Sequence, residues 1–263
     1  SNYTAQGAYF TMPSARMRES GYLEAMFSSV CPYHIYSLSS QLYNRLELTG
    51  NYWIFKGVTD PILGEFGFGD SADRAASLRF SLLHEDDGVL FLPEIVFGAN
   101  DFFGSKRFCS YYLVGTKQFK DYLTEVSFGW GSGRIKGFFG GISYSPFADL
   151  DSSFNGFSFI AEYDGNDYKH HKEEHPKGRD INYPINFGAQ INFTDLCSFK
   201  VSSIRGKEIA YSFALQYNIG KSKGILGRKY DPLPYRSTVD HEPLGLIRKD
   251  RLFAQDMPFA FQV

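Results

Sequence analysis

Hydrophobic and polar residues alternate strictly along the stretch "EIAYSFALQYNIG", residues 208–220. One row is apolar throughout: Ile209, Tyr211, Phe213, Leu215, Tyr217 and Ile219. The residues between them are small or polar. Because successive side chains of a strand point to opposite faces, this pattern predicts a strand with one apolar face. Such a strand fits a half-buried soluble sheet and the wall of a membrane barrel equally well.

Alternating segments of this kind recur along most of the chain and predict further strands. The predicted strands are 21–29, 33–40, 43–56, 76–85, 90–99, 108–118, 122–130, 157–164, 185–193, 196–205 and 208–220. Turn-forming sequences such as "GSK" at 104–106 and "GKE" at 206–208 separate neighbouring segments. Strands joined at hairpin spacing in sequence order predict an all-β fold, an antiparallel up-and-down barrel of about 10 to 12 strands.

The connections between the predicted strands are unequal in length. Long excursions occur at 57–74, 134–156 and 164–183, whereas other turns are short. Outer-membrane barrels have short turns at one rim and long loops at the other. Aromatic residues make up 17% of the chain and recur at strand ends, where a membrane interface would place them. These features favour a transmembrane barrel, while a soluble β-sandwich remains the alternative.

The chain is divided into three parts on this interpretation. Residues 1–19 form an N-terminal segment that could lie in the lumen, residues 20–220 form the barrel, and residues 221–263 form a proline-containing tail or linker. With 263 residues and 43% hydrophobic content, the chain is long enough to bury a full core.

Composition and motifs exclude several classes of function. A net charge of -2 provides no basic field for nucleic acid, and no apolar run reaches the roughly 18 to 20 residues that a membrane-spanning helix needs. The three cysteines form no CxxC pair, and neither GxSxG nor GxxxxGK occurs. We therefore expect no enzyme activity and no cofactor.

The sequence "HHKEEHPKGRD" at 170–180 collects residues that could in principle chelate a divalent metal. Its metal-binding residue types are His170, His171, Glu173, Glu174 and His175. Lysines at 169, 172 and 177 stand beside them, so a solvated surface loop without a metal is the simpler interpretation.

Several motifs in conserved order along the chain resemble one known family. These motifs are "GAYFTMPSARM" at 7–17, "PEIVFGANDFFGSKRFCSYYLVGTK" at 93–117, "EVSFGWGSGR" at 125–134, "GFFGGISY" at 137–144, "FIAEYDGNDY" at 159–168 and "YPINFGAQINF" at 183–193. Together they resemble the YjbH family, which includes the GfcD-type proteins of capsule operons. The resemblance covers roughly residues 7–220. Members are commonly longer than this chain, so we expect part of a two-part architecture to be absent here.

The resemblance implies an outer-membrane β-barrel, lipoprotein or porin-like, that is tied to exopolysaccharide and group 4 capsule secretion. We therefore expect a conduit or scaffold in exopolysaccharide export, located in the bacterial outer membrane. The implied partners are membrane lipid, polysaccharide and proteins of the export machinery, and the family implies no catalytic residues. The alternatives are a soluble β-sandwich that binds glycans through exposed aromatic residues, and a glycoside hydrolase using Glu94 and Glu162.

The N-terminal segment contains the candidate lumen residues. Pro13 removes a backbone donor from "MPSARM", and Ser14 and Arg16 offer polar contacts. A segment inside the lumen can satisfy an arginine, whereas a lipid-facing one cannot. We predict that residues 7–17 plug the lumen and that Arg16 meets an inward carboxylate. The candidate partners are Glu94, Glu125 and Glu162. The alternative is a solvated N-terminal arm.

The strand at 208–220 provides the clearest assignment of faces. We predict that Tyr211, Phe213, Leu215 and Tyr217 face lipid. The opposite face, with Ser212, Ala214 and Gln216, is then expected to line the lumen.

Overall fold

The computed structural model describes residues 1–59, 69–84, 92–148, 155–194 and 196–219, which belong to one compact unit, Ser1–Lys221. The predicted tail, 221–263, lies outside the described residues. The described residues form 12 strands: β1 Tyr22–Val30, β2 Tyr33–Tyr43, β3 Leu46–Thr59, β4 Asp70–Leu83, β5 Glu94–Gly104, β6 Ser110–Phe119, β7 Thr124–Gly133, β8 Gly137–Tyr144, β9 Phe157–Tyr163, β10 Ile185–Thr194, β11 Cys197–Ile204 and β12 Glu208–Asn218. In the described part of the chain, no helix is both long and apolar enough to cross a membrane.

The 12 strands close into one barrel in sequence order. Each strand pairs antiparallel with the next, and β12 returns to pair with β1. The closing register runs from Tyr22 opposite Asn218 to Ser29 opposite Tyr211. The predicted antiparallel up-and-down barrel is therefore confirmed, and the alternative of a two-sheet sandwich is wrong.

Alternation along each strand separates an apolar outer surface from a polar inner one. In β12, Ser212 and Ala214 are buried toward the interior, whereas Phe213 and Leu215 are exposed on the outside. The buried inward positions of the other strands include many hydroxyl side chains, among them Ser37, Ser39, Thr49, Ser77, Ser81, Thr116, Ser127, Ser198 and Ser202. Their hydrogen-bonding groups need polar partners, so this interior suits water or a polar occupant.

Strand β8 was missed by the sequence analysis, which placed 134–156 in a single loop. Phe139 and Gly141 point inward from this strand, whereas Phe138 and Ile142 are exposed on the outside. A buried phenylalanine and a glycine on the inward face hide the usual contrast between apolar and polar rows. Every other strand overlaps a predicted one.

Long connections occur at both rims, which corrects the expectation of one short and one long rim. The cap rim has turns at 31–32, 105–109, 134–136 and 205–207 and the cap loop, 164–184. The chain-end rim has short connections at 44–45, 120–123 and 195–196 and the longer connection 145–156. The expectation failed because β8 lies within 134–156. This strand separates a short turn at the cap rim, 134–136, from a longer connection at the chain-end rim, 145–156.

Candidate functional site

The N-terminal segment, residues 1–19, occupies the interior of the barrel. Its side chains and backbone contact inward-facing residues of strands around the wall. The Tyr3 hydroxyl lies 2.7 Å from Ser202 Oγ in β11 and donates to the carbonyl of Ala210 in β12. On the far side of the lumen, the Tyr9 hydroxyl lies 2.7 Å from Ser127 Oγ in β7. The segment therefore spans the lumen from one wall to the other.

A tight hairpin organises the middle of the segment, residues 7–14. Ala8 and Pro13 form an antiparallel bridge, and the Ser14 N–H donates to the Gly7 carbonyl at 3.2 Å. The Tyr9 N–H donates to the Met12 carbonyl at 3.1 Å, which closes the tip. The tip turns so tightly that several N–H groups at its outer side have no partner within the hairpin. A wall residue supplies that partner.

Glu162 of β9 binds the tip of the hairpin through its carboxylate. The carboxylate accepts the N–H groups of Phe10 and Thr11 at 2.9 Å and of Met12 at 3.1 Å. It also accepts the Thr11 hydroxyl at 2.6 Å and the Asn186 amide of β10 at 2.8 Å. Glu162 is 2% exposed, so a buried charge is stabilised here by five donor groups.

Arg79 of β4 binds the return strand of the hairpin. It is directly opposite Glu47 of β3, and its Nη1 lies 3.0 Å from Glu47 Oε2, with both side chains buried. Its Nη2 donates to the carbonyls of Ser14 and, at 3.1 Å, Arg16. The ion pair therefore neutralises the guanidinium while leaving donors for the backbone of the segment.

Lys200 of β11 holds the segment in the same way from another side. Its ammonium group donates to the carbonyls of Ser1 and Tyr9, and it is 3% exposed. Glu162, Arg79 and Lys200 thus all bind main-chain atoms of the segment. Because these contacts are made to the backbone, the path of the segment depends more on the wall charges than on the side chains of the segment.

A glycine in the wall makes room for the segment. Tyr9 lies flat against Gly141 of β8, where an added Cβ would be 2.6 Å from Tyr9 Cδ2. That separation is too short for any side chain at position 141, so the glycine is needed for the close approach.

The predicted lumen residues take different roles in this arrangement. Arg16 Nε donates to Glu125 Oε2 of β7, the second of the three predicted partners. Glu162, another of the three candidates, binds the backbone of the hairpin. Glu94 begins β5 on the inward face, and Pro13 and Ser14 are buried in the hairpin.

The faces of β12 are arranged as its alternation indicates. Tyr211, Phe213 and Leu215 are exposed on the outer surface, and Tyr217 is half-buried on the same face. Gln216 points inward and donates to Ser198 Oγ at 3.0 Å.

Sequence analysis missed Glu47, Arg79 and Lys200, three of the charged residues that hold the segment or support its contacts. A usable signal existed, because each is the charged member of a polar row between apolar neighbours: "LEL", "LRF" and "FKV". A charge on the inward row of a barrel strand needs a partner in the lumen.

The segment divides the interior into two spaces. A cap-side chamber with a volume of about 80 Å³ lies between the hairpin tip and the cap loop, and it is lined by Thr11 and Tyr168 among others. An open cleft at the chain-end rim is lined by Arg16, Glu125 and Gln190. Tyr9 lines only the cleft and Phe10 only the chamber, so the hairpin lies at the division between them.

The cap loop is anchored by buried side chains, which corrects its interpretation as a solvated surface loop. Glu174, 3% exposed, accepts Arg134 Nε at 3.0 Å and Nη2 at 3.2 Å, and it also accepts the Tyr33 hydroxyl. The His175 N–H donates to Tyr33 Oη at 2.9 Å. Arg205 donates to the carbonyl of Gly178. The lysines misled the interpretation because they are exposed beside a buried glutamate.

Burial changes the acid–base behaviour of the cap loop. Burial and then the neighbouring Asp164 carboxylate raise the pKa of Tyr168 well above its ordinary value, so its hydroxyl stays protonated and donates to Asp164 at 2.8 Å. Burial and then the Arg134 charge lower the pKa of His171. Within the described residues, no three or more histidine, cysteine, aspartate or glutamate side chains are grouped so as to hold a metal ion.

The comparison with protein families decides the relationship of this chain. The family model YjbH, described as "Exopolysaccharide biosynthesis protein YbjH", matches residues 1–137 and 135–257. The chain belongs to the YjbH family. The resemblance seen in the sequence motifs is thereby confirmed, and this YjbH-family barrel carries the lumenal segment described above.

A curated relative and two solved structures are similar to this YjbH-family chain. It is 25% identical over 266 residues to "Uncharacterized lipoprotein YjbH" of Escherichia coli (strain K12), covering 87% of this chain and 37% of the relative. The chain thus spans well under half of that relative. A KdgM porin structure matches with a TM-score of 0.44 and 15% identity, covering 74% of this chain and 98% of the porin. A KdgM porin in complex with disordered oligogalacturonate matches with a TM-score of 0.43 and 14% identity, with the same coverage.

Proposed function

We propose that this chain forms an outer-membrane barrel that serves exopolysaccharide export as a scaffold, closed at rest by its N-terminal segment, and that it is not an enzyme. The observation that carries the proposal is the set of buried wall charges bound to the backbone of the segment. Glu162, Arg79 and Lys200 each lose hydration inside the barrel, and contacts with residues 1–16 replace part of it. Removing the segment would leave three buried charges with fewer partners, so the closed state is the stable one.

The outer surface supports a location in a membrane. Exposed apolar residues cover the middle of the strands, among them Leu38, Phe97, Leu113, Phe128, Phe159 and Leu215. Exposed aromatic residues are found near both rims: Phe103, Phe138, Tyr163 and Tyr183 at the cap rim, and Tyr43, Tyr122, Tyr144 and Phe193 at the chain-end rim. An apolar band between two aromatic girdles is the surface of outer-membrane barrels.

The proposed partners follow from this surface and from the family. Lipid covers the apolar band, and the family description concerns exopolysaccharide biosynthesis. We therefore propose polysaccharide and other proteins of an export machinery as further partners.

A second candidate function is a gated conduit. The observation that favours it is the empty space on both sides of the segment, the cap-side chamber and the chain-end cleft. Moving the hairpin aside would join them into one polar passage. The scaffold and the conduit therefore differ in whether the segment must move.

A disulfide that fixes the segment to the wall distinguishes the two functions. A Cβ at position 141 would lie 3.0 Å from Tyr9 Cγ. The two Cβ atoms are then within roughly 4.5 Å, which a disulfide can bridge. We would combine Tyr9→Cys with Gly141→Cys, after changing the three native cysteines to serine, and measure exopolysaccharide secretion with and without reductant. The cysteine-free parent and the Tyr9→Cys single variant, which keeps Gly141, are the matched controls.

The expected result is that the oxidised lock leaves secretion at the level of the controls. Secretion that stops when the lock is oxidised and returns on reduction would instead establish the conduit. The membrane location is tested separately, because a barrel remains in the envelope fraction and migrates faster on unheated than on heated gels. Purification without detergent would overturn that part of the proposal.

A further inference from the structure

We propose that the exposed side of the cap loop binds an acidic polysaccharide. The choice of a polysaccharide rests on the proposed role in exopolysaccharide export, whereas the charge of this surface follows from the ion pairs of the fold. In sequence, the cap loop has acidic and basic residues in nearly equal numbers, so composition alone assigns it no strong charge. The tertiary structure separates these charges.

The carboxylates of the cap loop are paired with residues outside the exposed side of the loop. Four of them form ion pairs with basic residues of the neighbouring cap-rim turns: Asp167 with Lys136 at 3.2 Å, Glu173 with Arg107 at 3.4 Å, Glu174 with Arg134 at 3.0 Å, and Asp180 with Lys207 at 2.7 Å. The fifth, Asp164, is buried and accepts the Tyr168 hydroxyl and the Asn186 amide. The fold therefore compensates the acidic groups of the loop.

The lysine and arginine residues of the cap loop remain without a carboxylate partner among the residues that the structure describes. We call them the cap surface: Lys169, Lys172, Lys177 and Arg179, all of them exposed. The Arg179 guanidinium donates to the carbonyl of Lys172 at 3.1 Å, which brings the two ends of this set together. Four cations with no compensating carboxylate give the surface a positive potential.

The cap surface lies over the mouth of the barrel. On its inner side, the cap loop contacts the lumen wall, because the His175 N–H donates to Tyr33 Oη and Tyr168 lines the cap-side chamber. The exposed cations therefore point away from the lumen, into the space beyond the rim. A polymer held at this rim meets them, whereas membrane lipid contacts the apolar band around the strands.

Charge complementarity identifies the chemical class of that polymer. The carboxylates of uronate sugars pair with lysine and arginine side chains, and a guanidinium can bind a carboxylate through two parallel hydrogen bonds. A single exposed ion pair is weak, but a repeating acidic polymer forms several at once. A neutral polysaccharide has no charge to pair with this surface.

Binding of alginate, a polymer of uronate sugars, provides a direct test. We would measure it by biolayer interferometry on the detergent-solubilised barrel, with dextran as the neutral polysaccharide. The expected result is saturable binding of alginate and much weaker binding of dextran. Alginate binding should also weaken as the salt concentration rises from about 0.1 to about 1 M, because the screening length falls from roughly 10 to 3 Å.

Two matched double variants show whether the cap surface binds the polymer. Lys169→Gln with Lys172→Gln removes two of its charges and should weaken alginate binding about fivefold, the effect of losing two exposed ion pairs. Lys117→Gln with Lys120→Gln removes two charges at the same spacing near the chain-end rim and should leave binding unchanged. Lys169→Glu with Lys172→Glu should weaken binding further. Mobility on unheated gels verifies that each variant is folded.

Several results would overturn the inference. They are no saturable binding of alginate, equal binding of dextran, binding that salt does not weaken, or equal losses in the two glutamine double variants. None of these results bears on the proposed function, which is measured by secretion from the locked barrel and by its membrane location. A barrel that supports secretion without binding alginate would therefore exclude the role of the cap surface alone.

Discussion

Glu162 is the residue on which the position of the N-terminal segment depends most directly. Its carboxylate accepts three consecutive backbone N–H groups, those of Phe10, Thr11 and Met12. All five groups that form hydrogen bonds with this carboxylate are donors. The site therefore needs a side chain that accepts hydrogen bonds and donates none. The side chain thus selects the bent backbone of the hairpin tip, and we expect it to tolerate changes in the tip side chains.

Glu162→Gln keeps the shape of the side chain but removes its charge and places an NH2 group among donors. We expect the docked segment to lose about 1.5 to 3 kcal/mol, the contribution of a hydrogen bond to a charged group. Hydrogen exchange of residues 8–13 measures this loss as faster exchange. Glu173→Gln, at an exposed position of the cap loop, is the control and should leave the exchange of these residues unchanged. Equal exchange in the wild type and Glu162→Gln would show that the carboxylate does not hold the tip.

At the scale of secondary structure, strand β12 tests the assignment of the two barrel faces. Phe213→Arg puts a charge on the outer face and should cost roughly 2 to 4 kcal/mol if the site lies near the bilayer midplane. Gln216→Arg puts the same charge on the inner face, where Glu24 lies within 3.3 Å of the Gln216 amide, and should be mild. Denaturant unfolding in lipid vesicles measures both. Equal losses would mean that the outer face does not meet lipid.

The cap loop is an element whose docking depends on pH through His171. Burial and the Arg134 charge hold the pKa of this imidazole below its ordinary value of 6.5, against the attraction of Glu174, Asp167 and Glu173. The docked loop therefore binds a proton less readily than the undocked loop. As pH falls through about 6.5, the undocked loop gains protons first and docking weakens.

Hydrogen exchange of the cap loop, corrected for intrinsic rates, should therefore show weaker protection at pH 5.5 than at pH 7.5. His171→Phe should reduce this pH dependence, because it keeps an aromatic ring near Phe108 and removes the titrating group. His170→Gln, at an exposed neighbouring position, should retain the dependence. A dependence that survives His171→Phe would assign it to another group.

At the scale of the whole molecule, the N-terminal segment lies in the lumen of the barrel. A wall of 12 strands encloses more space than an eight-stranded barrel, whose interior is just filled by side chains. Residues 1–19 occupy much of that additional space. Deleting residues 1–17 should raise the single-channel conductance in planar bilayers while the barrel remains folded, as judged by its mobility on unheated gels. Unchanged conductance in a folded deletion variant would show that the segment does not close the lumen.

The curated relative also bears on this scale, because the chain spans 37% of its length. The conductance measurement is therefore best made with the longest chain that is expressed, alongside the 263-residue chain.

Local pattern alone predicted most of the strands and their two faces, but it fitted a soluble sheet and a membrane barrel equally well. A period of two requires no knowledge of distant residues, so the alternation in β12 was sufficient to separate Phe213 from Gln216. It failed at β8, where Phe139 and Gly141 replace the polar inward row. The reason for the glycine is visible only in the folded barrel, in which Tyr9 packs against Gly141.

Tertiary structure decided which side chains meet in the lumen. Sequence analysis placed residues 7–17 inside and named three carboxylates for Arg16, but spacing along the chain could not distinguish Glu125 from Glu162. Glu162 and the hairpin are about 150 residues apart in sequence, with hydrogen-bond separations of 150 to 152. Contacts over such separations depend on how 12 strands close and on how far each is staggered. The ion pair of Arg134 with Glu174 also depends on the tertiary structure. It lies buried in the cap loop, whose composition alone predicted a solvated loop.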